Sequence, residues 1–163
     1  MKENLINFII NLNINKSFLT FLISMLPILE IRGALPISII FFKLSALKSF
    51  VLCALGNIFI IIPFMIFVEK FLNLEKYDFL KNLSFFRWWI SKTKKNETLI
   101  KKYGTLGLLI FVAIPLPSTG AYTGALLASL LKIKKLNALY FIALGVIIAG
   151  IITLIITKGI TLI

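Results

Sequence analysis

The stretch SFLTFLISMLPILEIRGALPISIIFF, residues 17–42, contains only two formal charges, those of Glu30 and Arg32. Each charge costs about 2.5 to 3.5 kcal/mol at the centre of a membrane helix, so such residues are rarely kept there without a role. Three residues that interrupt regular helix surround the pair: Pro27, Gly33 and Pro36. An ionisable pair at a helix break in an apolar segment indicates a functional site on a transport or ion pathway.

The composition indicates an all-α integral membrane protein with one domain, residues 1–163. The chain has 163 residues, of which 60% are hydrophobic, and a mean hydropathy of +1.02. Soluble domains contain about 45–50% apolar residues. Four apolar blocks are each long enough to cross ~30 Å of hydrocarbon as helices: residues 17–42, 49–68, 104–131 and 136–157.

The polar residues exclude several other classes of protein. The net charge is +12, but the basic residues lie between the apolar blocks, where they set orientation and meet anionic lipid. No nucleic-acid-binding motif accompanies them, so no nucleic-acid partner is expected. Cys53 is the single cysteine and histidine is absent, so we expect no disulfide framework, metal site, cofactor or enzymatic activity. A Ser-Lys dyad is the remaining nucleophilic alternative, although the apolar blocks contain no lysine.

The blocks form two similar halves joined by a polar linker. Gly33-Ala34 aligns with Gly120-Ala121, and Ala54-Leu55-Gly56 aligns with Ala143-Leu144-Gly145. An internal repeat of about 57 residues, broken at corresponding positions, is typical of transporter folds, although apolar segments can also match by chance. The predicted boundaries are repeat 1 at 17–72, the linker at 73–103 and repeat 2 at 104–163.

Each half begins with a block broken by proline and glycine and ends with a smoother block that predicts a transmembrane helix. The broken blocks either span the membrane or enter and return as hairpins, and we predict two inverted repeats with re-entrant hairpins that cover one another. Lys and Arg divide 12 against five between the two sides in both arrangements, which predicts a cytoplasmic linker. The termini are expected outside for re-entrant hairpins and inside for four full spans.

The linker is basic and amphipathic. Residues 69–103 contain nine Lys or Arg and four acidic residues, and Trp88 and Trp89 suit the headgroup region. One helical stripe is apolar: Phe79, Leu83, Phe86 and Ile90. The pattern predicts an interfacial amphipathic helix followed by a short helix that ends near Gly104, and the alternative is a solvated connector.

The first break is expected to place its two charges in one cavity. Gly33 would permit a sharp turn, and Pro36 would start the outgoing half-helix. Freed N–H groups at that helix start, together with Arg32, would bind an anion. Burial favours a neutral Glu30 whereas Arg32 favours a charged one, so this carboxyl group can exchange a proton during a transport cycle. The alternative is a static ion pair that holds the halves together.

The second break, IPLPSTGAYTGA at residues 114–125, contains the opposing residues. Two prolines stop one helix, Ser118 or Thr119 caps the next, and Gly120 with Gly124 permits close packing. Tyr122 offers a ring and a hydroxyl, whereas Asn57 predicts a hydrogen bond between helices. The predicted substrate- or ion-binding residues are Glu30, Arg32, Gly33, Pro36, Pro115, Pro117, Ser118, Thr119, Gly120, Tyr122 and Gly124.

Both breaks resemble known signatures. Residues 30–36, EIRGALP, resemble the ExRGAxP signature of the bacterial and archaeal family of putative small multidrug export proteins, and residues 111–125, FVAIPLPSTGAYTGA, resemble its FVAIPLPGTGAWTGA signature. Ser118 replaces a glycine of that pattern and Tyr122 replaces a tryptophan. The resemblance implies a transporter in the plasma (inner) membrane of a prokaryote. The facing hairpins are also similar to DedA-like membrane proteins, which are associated with lipid translocation and proton coupling.

These observations predict transport of an amphipathic or lipid-like substrate, with Glu30 as the proton-coupling carboxylate. Arg32 is either a ligand for a substrate anion or a structural partner, and residues 115–124 form the opposing wall. A cationic drug would need an uncompensated carboxylate, whereas Arg32 favours an anionic headgroup. The alternatives are a non-transporting scaffold or membrane-shaping protein and a lipid scramblase without ion coupling. The expected partners are the lipid bilayer, the substrate and protons, and the small domain is compatible with a homodimer.

Overall fold

A computed structural model describes residues 15–73, 97–114 and 119–161. All regular structure in these ranges is helical, as predicted, and no strand occurs in them. The helices in chain order are α1 (Lys16–Ser24), α2 (Glu30–Ile40), α3 (Ala46–Asn73), α4 (Glu97–Ala113), α5 (Ala121–Leu130) and α6 (Lys135–Thr161).

Helices α3 and α6 are long and apolar enough to cross a membrane, over Ala46–Lys70 and Lys135–Gly159. Only 39% and 33% of their most apolar windows are buried, whereas a core helix of a soluble protein is mostly buried. Their exposed surface is hydrocarbon, which suits contact with lipid. It includes Val51, Leu55, Phe59, Ile62, Ile66, Ile147, Ile151 and Ile155. The two smoother blocks thus form the long helices that the sequence predicts.

The broken blocks do not form continuous helices in the described ranges. Helices α1, α2 and α5 have 9, 11 and 10 residues, and each therefore reaches at most about 17 Å, well short of the ~30 Å of hydrocarbon. Thr20 of α1 donates to Ser38 Oγ of α2 over 3.2 Å, so α2 returns along α1. In the second half, a Cβ on Gly124 would come within 2.6 Å of Val112 and 3.5 Å of Leu108, so α5 turns back towards α4.

The two halves have the same order of helices, and the middle helix of each half contacts both long helices. In each half a short helix packs on the long helix of that half, as α1 does on α3 and α4 does on α6. Helix α2 packs on both α3 and α6, and α5 likewise packs on both α6 and α3. Each half therefore places its middle helix against the long helix of the other half, which buries a core common to both.

The long helices run antiparallel to each other. Glu69 near the end of α3 forms an ion pair with Lys135 at the start of α6. At the opposite end, a Cβ on Gly150 would come within 2.6 Å of Ile31 and 2.8 Å of Phe50, so the late part of α6 lies beside the early part of α3. The register of these contacts places Asn57 level with about Val146, near the middle of both helices.

The hairpin ends reach the middle of the long helices. Ser24, the last residue of α1, lies directly against Gly56 of α3. Val112, near the end of α4, lies against Gly145 of α6, where an added Cβ would be 2.7 Å from the valine Cβ. A side chain on either glycine would push a short helix away from its long neighbour. Each Ala-Leu-Gly triplet lies at the same distance from the start of its long helix, so its glycine sets the depth of the hairpin end that packs there.

The predicted amphipathic linker helix lies at residues outside the described ranges, so it remains a prediction. Helix α4 begins at Glu97, inside the predicted linker, and its backbone leaves helical geometry at Gly104, with φ 59° and ψ −136°. A positive φ of this size favours glycine. The break at Gly104 agrees with the predicted end of a short helix there.

Candidate functional site at the junction of two hairpin ends

The first tip, residues 25–29, connects α1 to α2. Pro27 has no N–H group and cannot continue α1, so the chain turns around it. The backbone N–H of Glu30 donates to the carbonyl of Leu26 over 2.9 Å, and Glu30 itself has a left-handed φ of 47°. A non-glycine residue in this region is strained, and such strain concentrates at functional positions. The tip thus turns at Pro27 and Glu30.

Two predictions about this turn were wrong. Gly33 was expected to form the turn, but it lies inside α2 and donates to the carbonyl of Leu29 over 2.7 Å. Its missing side chain instead makes room for Leu29, which an added Cβ would approach to 2.8 Å. Pro36 was expected to start the outgoing helix, but α2 already begins at Glu30 and encloses this proline. Because Pro36 lacks an N–H, the carbonyl one turn earlier loses its usual helical donor.

The carboxylate of Glu30 lies at the N-terminus of α5, in the other half of the chain. Its Oε2 accepts from the N–H of Ala121 and its Oε1 from the N–H of Tyr122, each over 3.4 Å. The preceding residue, Gly120, makes this approach possible, since a Cβ there would be 2.5 Å from Oε2. An anion at this position satisfies free N–H groups and the positive end of the helix. Glu30 is therefore the side chain that caps α5.

This arrangement corrects the predicted cap of α5. The residue at the N-cap is Gly120, which has no side chain to cap the helix, and Ser118 lies outside the described residues. The hydroxyl of Thr119 instead donates to the carbonyl of Ile114 over 2.7 Å, at the end of α4. Glycine brings no capping side chain, so the carboxylate of another helix takes that role.

Arg32 binds the opposite side of the second tip, residues 114–120. Its Nη2 donates to the carbonyls of Val112 and Ile114 over 2.8 and 3.0 Å. Its Nη1 donates to the carbonyl of Thr119 and, over 3.2 Å, to the hydroxyl of the same residue. The last carbonyls of a helix have no partner within it, and a cation is favoured there. Arg32 thus closes the end of α4.

Glu30 and Arg32 therefore bind the two ends of one break. The two side chains were predicted to share one cavity. Both contact the break between α4 and α5, but Glu30 binds the start of α5 whereas Arg32 binds the end of α4. In this conformation both terminal nitrogens of Arg32 donate to the second tip. The guanidinium group of Arg32, which was predicted to bind an anion, instead donates to main-chain carbonyls.

Tyr122 and Gly124 also join the two halves. The hydroxyl of Tyr122 donates to the carbonyl of Met25 in the first tip. Its ring meets that of Phe64 edge to face, with centroids 4.8 Å apart. Gly124 allows Val112 to approach α5, as the predicted close packing requires. Tyr122 is buried among both tips and α3, so it contributes to the junction more than to an open wall.

Three predicted site residues, Pro115, Pro117 and Ser118, lie outside the described residues, and their roles remain predictions. Asn57 was expected to bond another helix, but it is fully buried and neither atom of its amide has a partner. In the described ranges, no three Cys, Asp or Glu side chains lie close enough to bind a metal ion. Sequence reasoning missed the carbonyl of Met25, because a backbone acceptor leaves no signal in residue type.

Comparison with known proteins identifies the family of the chain. The sequence model of a family described as "putative small multi-drug export protein" matches residues 30–152. The match begins at Glu30 and includes both charged residues and all of the second tip. No curated protein and no solved structure matches the chain significantly.

Proposed function

The chain belongs to the family described as putative small multi-drug export protein, and from this premise we propose that it is a membrane transporter driven by protonation of Glu30. The observation that carries the proposal is the position of this carboxylate. It comes from one half of the chain and binds the helix start of the other half, beside the middle of two long apolar helices.

Glu30 forms the weaker of the two contacts at the junction. Its bonds to α5 measure 3.4 Å, whereas charge-assisted bonds are usually about 2.7–2.9 Å. The bonds from Arg32 to Val112 and Ile114 have ordinary lengths of 2.8 and 3.0 Å. Protonation removes the charge that attracts the N-terminus of α5, while Arg32 keeps the second tip closed. The tips then separate at Glu30, and the junction opens.

An inverted repeat gives this opening a direction. The antiparallel long helices, the exchanged middle helices and the hairpins that end at mid-length all support two inverted copies. In transporters built this way, one repeat moves against the other around a site near the bilayer midplane. We therefore infer that protonated and ionised Glu30 favour openings towards opposite sides of a prokaryotic plasma membrane, with the linker in the cytoplasm.

The substrate we propose is an amphipathic or lipid-like molecule. It enters between apolar helices whose outer surface contacts the bilayer, so part of it can remain in lipid. The main-chain contacts of Arg32 favour its role as a structural partner over an anion ligand. This removes the main objection to a cationic substrate, so cationic drugs and anionic lipids both remain candidates. A homodimer is compatible with the size of the domain.

One alternative function has specific support. The same contacts of Arg32 and Tyr122 would also suit a scaffold, because they fix the two halves together. A scramblase without ion coupling would in turn need the junction to open without a change at Glu30. In both alternatives the charge of Glu30 has no role in a transport cycle, so the variant Glu30→Gln distinguishes them from the proposal.

The test is transport by Glu30→Gln in vesicles with an imposed pH gradient, with ethidium as a cationic probe and fluorescent phosphatidylglycerol as an anionic one. Glutamine keeps the size of the side chain and an acceptor oxygen, but it cannot be ionised. We expect gradient-driven transport to fall by at least about tenfold, because the protonation step is lost. The matched control is Glu69→Gln, which makes the same change in the partly exposed ion pair with Lys135.

Gradient-driven transport by Glu30→Gln at the wild-type rate, with normal protein levels, would contradict proton coupling. Lipid exchange that is equal in the two proteins and independent of the gradient would identify a scramblase. No transport by the wild-type protein of either probe, with the folded protein present in the vesicles, would favour a scaffold.

A further inference from the structure

The first half contains a group of fully buried polar side chains that the proposed function does not use. They lie on α1, α2 and α3, and we term them the polar file: Thr20, Ser24, Ser38, Ser49 and Asn57. All five have no solvent-exposed surface. Such residues are uncommon inside an apolar bundle, because a buried polar group is costly unless it is hydrogen-bonded.

The outer end of the polar file is a hydrogen-bonded chain near the ends of the helices. The hydroxyl oxygens of Thr20 and Ser38 lie 3.2 Å apart. The Ser38 hydroxyl donates to the Ser49 hydroxyl over 2.7 Å. Thr20 also bonds the carbonyl of Lys16, an exposed residue one turn away. The chain of hydroxyls therefore begins within one helical turn of the surface of the protein.

The inner end of the polar file is at the middle of α3. Ser24 lies one turn after Thr20 on α1, and its side chain contacts Gly56 of α3. Asn57 is the residue that follows Gly56 in the sequence. The first tip begins at the residue after Ser24 and ends directly before Glu30. From Ser49 to Asn57 the polar file covers about 12 Å along α3, at 1.5 Å per residue. It thus extends from the end of the helices to about the depth at which Glu30 binds α5.

Asn57 indicates what the polar file holds. Its amide oxygen and nitrogen are both buried, and neither has a hydrogen-bond partner among the described residues. A buried amide left in this state costs about 1–3 kcal/mol, and buried polar groups of native proteins are regularly satisfied by internal water. Water is also a ligand that satisfies both the donor and the acceptor of an amide.

The second half shows that packing alone does not require these polar groups. The matching Ala-Leu-Gly triplets pair Ser49 with Ala138 and Asn57 with Val146. Ser24 and Val112 correspond because each lies against the glycine of its triplet, and Thr20 then corresponds to Leu108. All four of these partners in the second half are apolar and buried.

We propose that the polar file is a hydrated path that carries protons between the membrane surface at the start of α1 and α3 and the carboxyl group of Glu30. The proposal rests on the proposed role of Glu30 in proton coupling. Each water or hydroxyl along the path accepts one proton and passes one on, so none is consumed. The equivalent positions of the second half are apolar and offer no such path, and the buried hydroxyls of Thr153 and Thr157 donate to carbonyls of α6 itself. Protons therefore reach Glu30 from one membrane surface.

The experiment compares thiols placed at equivalent positions of the two halves, in a Cys53→Ala background. Ser24→Cys and Ser49→Cys test the polar file, while Val112→Cys and Ala138→Cys are the matched controls. All four sites are buried, so burial alone cannot distinguish them. The probe is Ag⁺, a small ion that follows water and binds thiols, applied to protein in lipid vesicles, and the thiols that remain are titrated with a maleimide.

We expect Ag⁺ to react with the two serine-site thiols at least about tenfold faster than with the two controls, because only the first pair lies on a hydrated path. Equal rates at all four sites, or no reaction at any of them, would overturn the proposal. The labelling needs no transport, so its failure is distinguishable from a failure of Glu30 coupling.

A second variant tests whether the path carries protons. Asn57→Val copies the residue of the second half and keeps a similar volume, so it preserves packing. It is expected to slow gradient-driven transport by about fivefold through the loss of ordered water, without loss of folded protein. Val146→Ala is the control at the equivalent position. Unchanged transport in Asn57→Val would show that the polar file serves only in helix packing, and it would overturn the proposal.

Discussion

The two tips differ in what they contribute to their common junction. The first tip is followed by two charged side chains, Glu30 and Arg32, whereas the described part of the second tip presents main-chain N–H and carbonyl groups beside Gly120. One half thus supplies charge and the other supplies free helix ends. Two halves with the same order of helices can therefore divide the chemistry of a site between them, because a helix break needs a partner that its own half does not provide.

The largest effect is expected from Arg32→Ala, which removes the donors from the end of α4. The carbonyls of Val112, Ile114 and Thr119 then have no donor from this side chain. We expect the free energy of unfolding in detergent to fall by about 3 kcal/mol or more. Lys48→Ala, which removes an exposed charge of the same sign, is the control. A loss no larger than that of the control would show that the second tip closes without Arg32.

A smaller loss is expected when the apolar interior of the second half receives the polar residue of the first. Val146→Asn places an amide at a buried site that the structure fills with hydrocarbon. The expected cost is about 2 kcal/mol, the range for burial of an amide without a partner. The measurement is the unfolding midpoint in detergent. A midpoint equal to that of the wild type would show that the two interiors do not differ in their tolerance of polar groups.

The equivalent glycines of the two breaks are expected to respond unequally to alanine. At Gly120 a Cβ would lie 2.5 Å from the Glu30 carboxylate, which must then withdraw from α5. At Gly33 the nearest atom is the end of the Leu29 side chain at 2.8 Å, which can rotate away. We expect a loss of about 1–2 kcal/mol for Gly120→Ala and under about half of that for Gly33→Ala. The two unfolding curves measured side by side check the order, and a reversed order would contradict the cap.

The smallest loss is expected from Tyr122→Phe. This change removes the hydroxyl that donates to the carbonyl of Met25 but keeps the ring against Phe64. One neutral hydrogen bond contributes about 1 kcal/mol. The same change in Tyr140, whose exposed ring lies in α6, is the control. Equal unfolding midpoints for both variants would show that this bond does not hold the tips together.

The sequence predicted the two long helices and the interruptions before α2 and α5 because these features follow from residue type. The functional importance of Glu30 and Arg32 remains a prediction. Uninterrupted hydrocarbon over 20 or more residues predicts a helix of spanning length, and a charge within it is costly. The match of a family model to residues 30–152 confirms the family that the sequence suggested, whereas the two signatures themselves remain predictions. The similarity to DedA-like proteins remains a prediction.

The partners of the two charges could not be predicted, because they are main-chain groups. A carbonyl at the end of α4 is the same atom whatever residue carries it, so the sequence gives no sign that Arg32 binds there. The turn was assigned to Gly33 on propensity, but the tertiary contact of Glu30 with α5 holds this glutamate in a left-handed conformation. The hydrogen-bonding state of Asn57 likewise depends on which helix faces it.

The proposed mechanism requires two halves that are inverted in the membrane and meet tip to tip. The most direct measurement places one reporter in the linker and a second after Ile163, and determines the side of the membrane on which each lies in intact cells. We expect the reporters on opposite sides, since α6 is then the one crossing after the linker, with the linker in the cytoplasm. Reporters on the same side would mean an even number of crossings in the second half, and would contradict the inverted arrangement and the junction at the midplane.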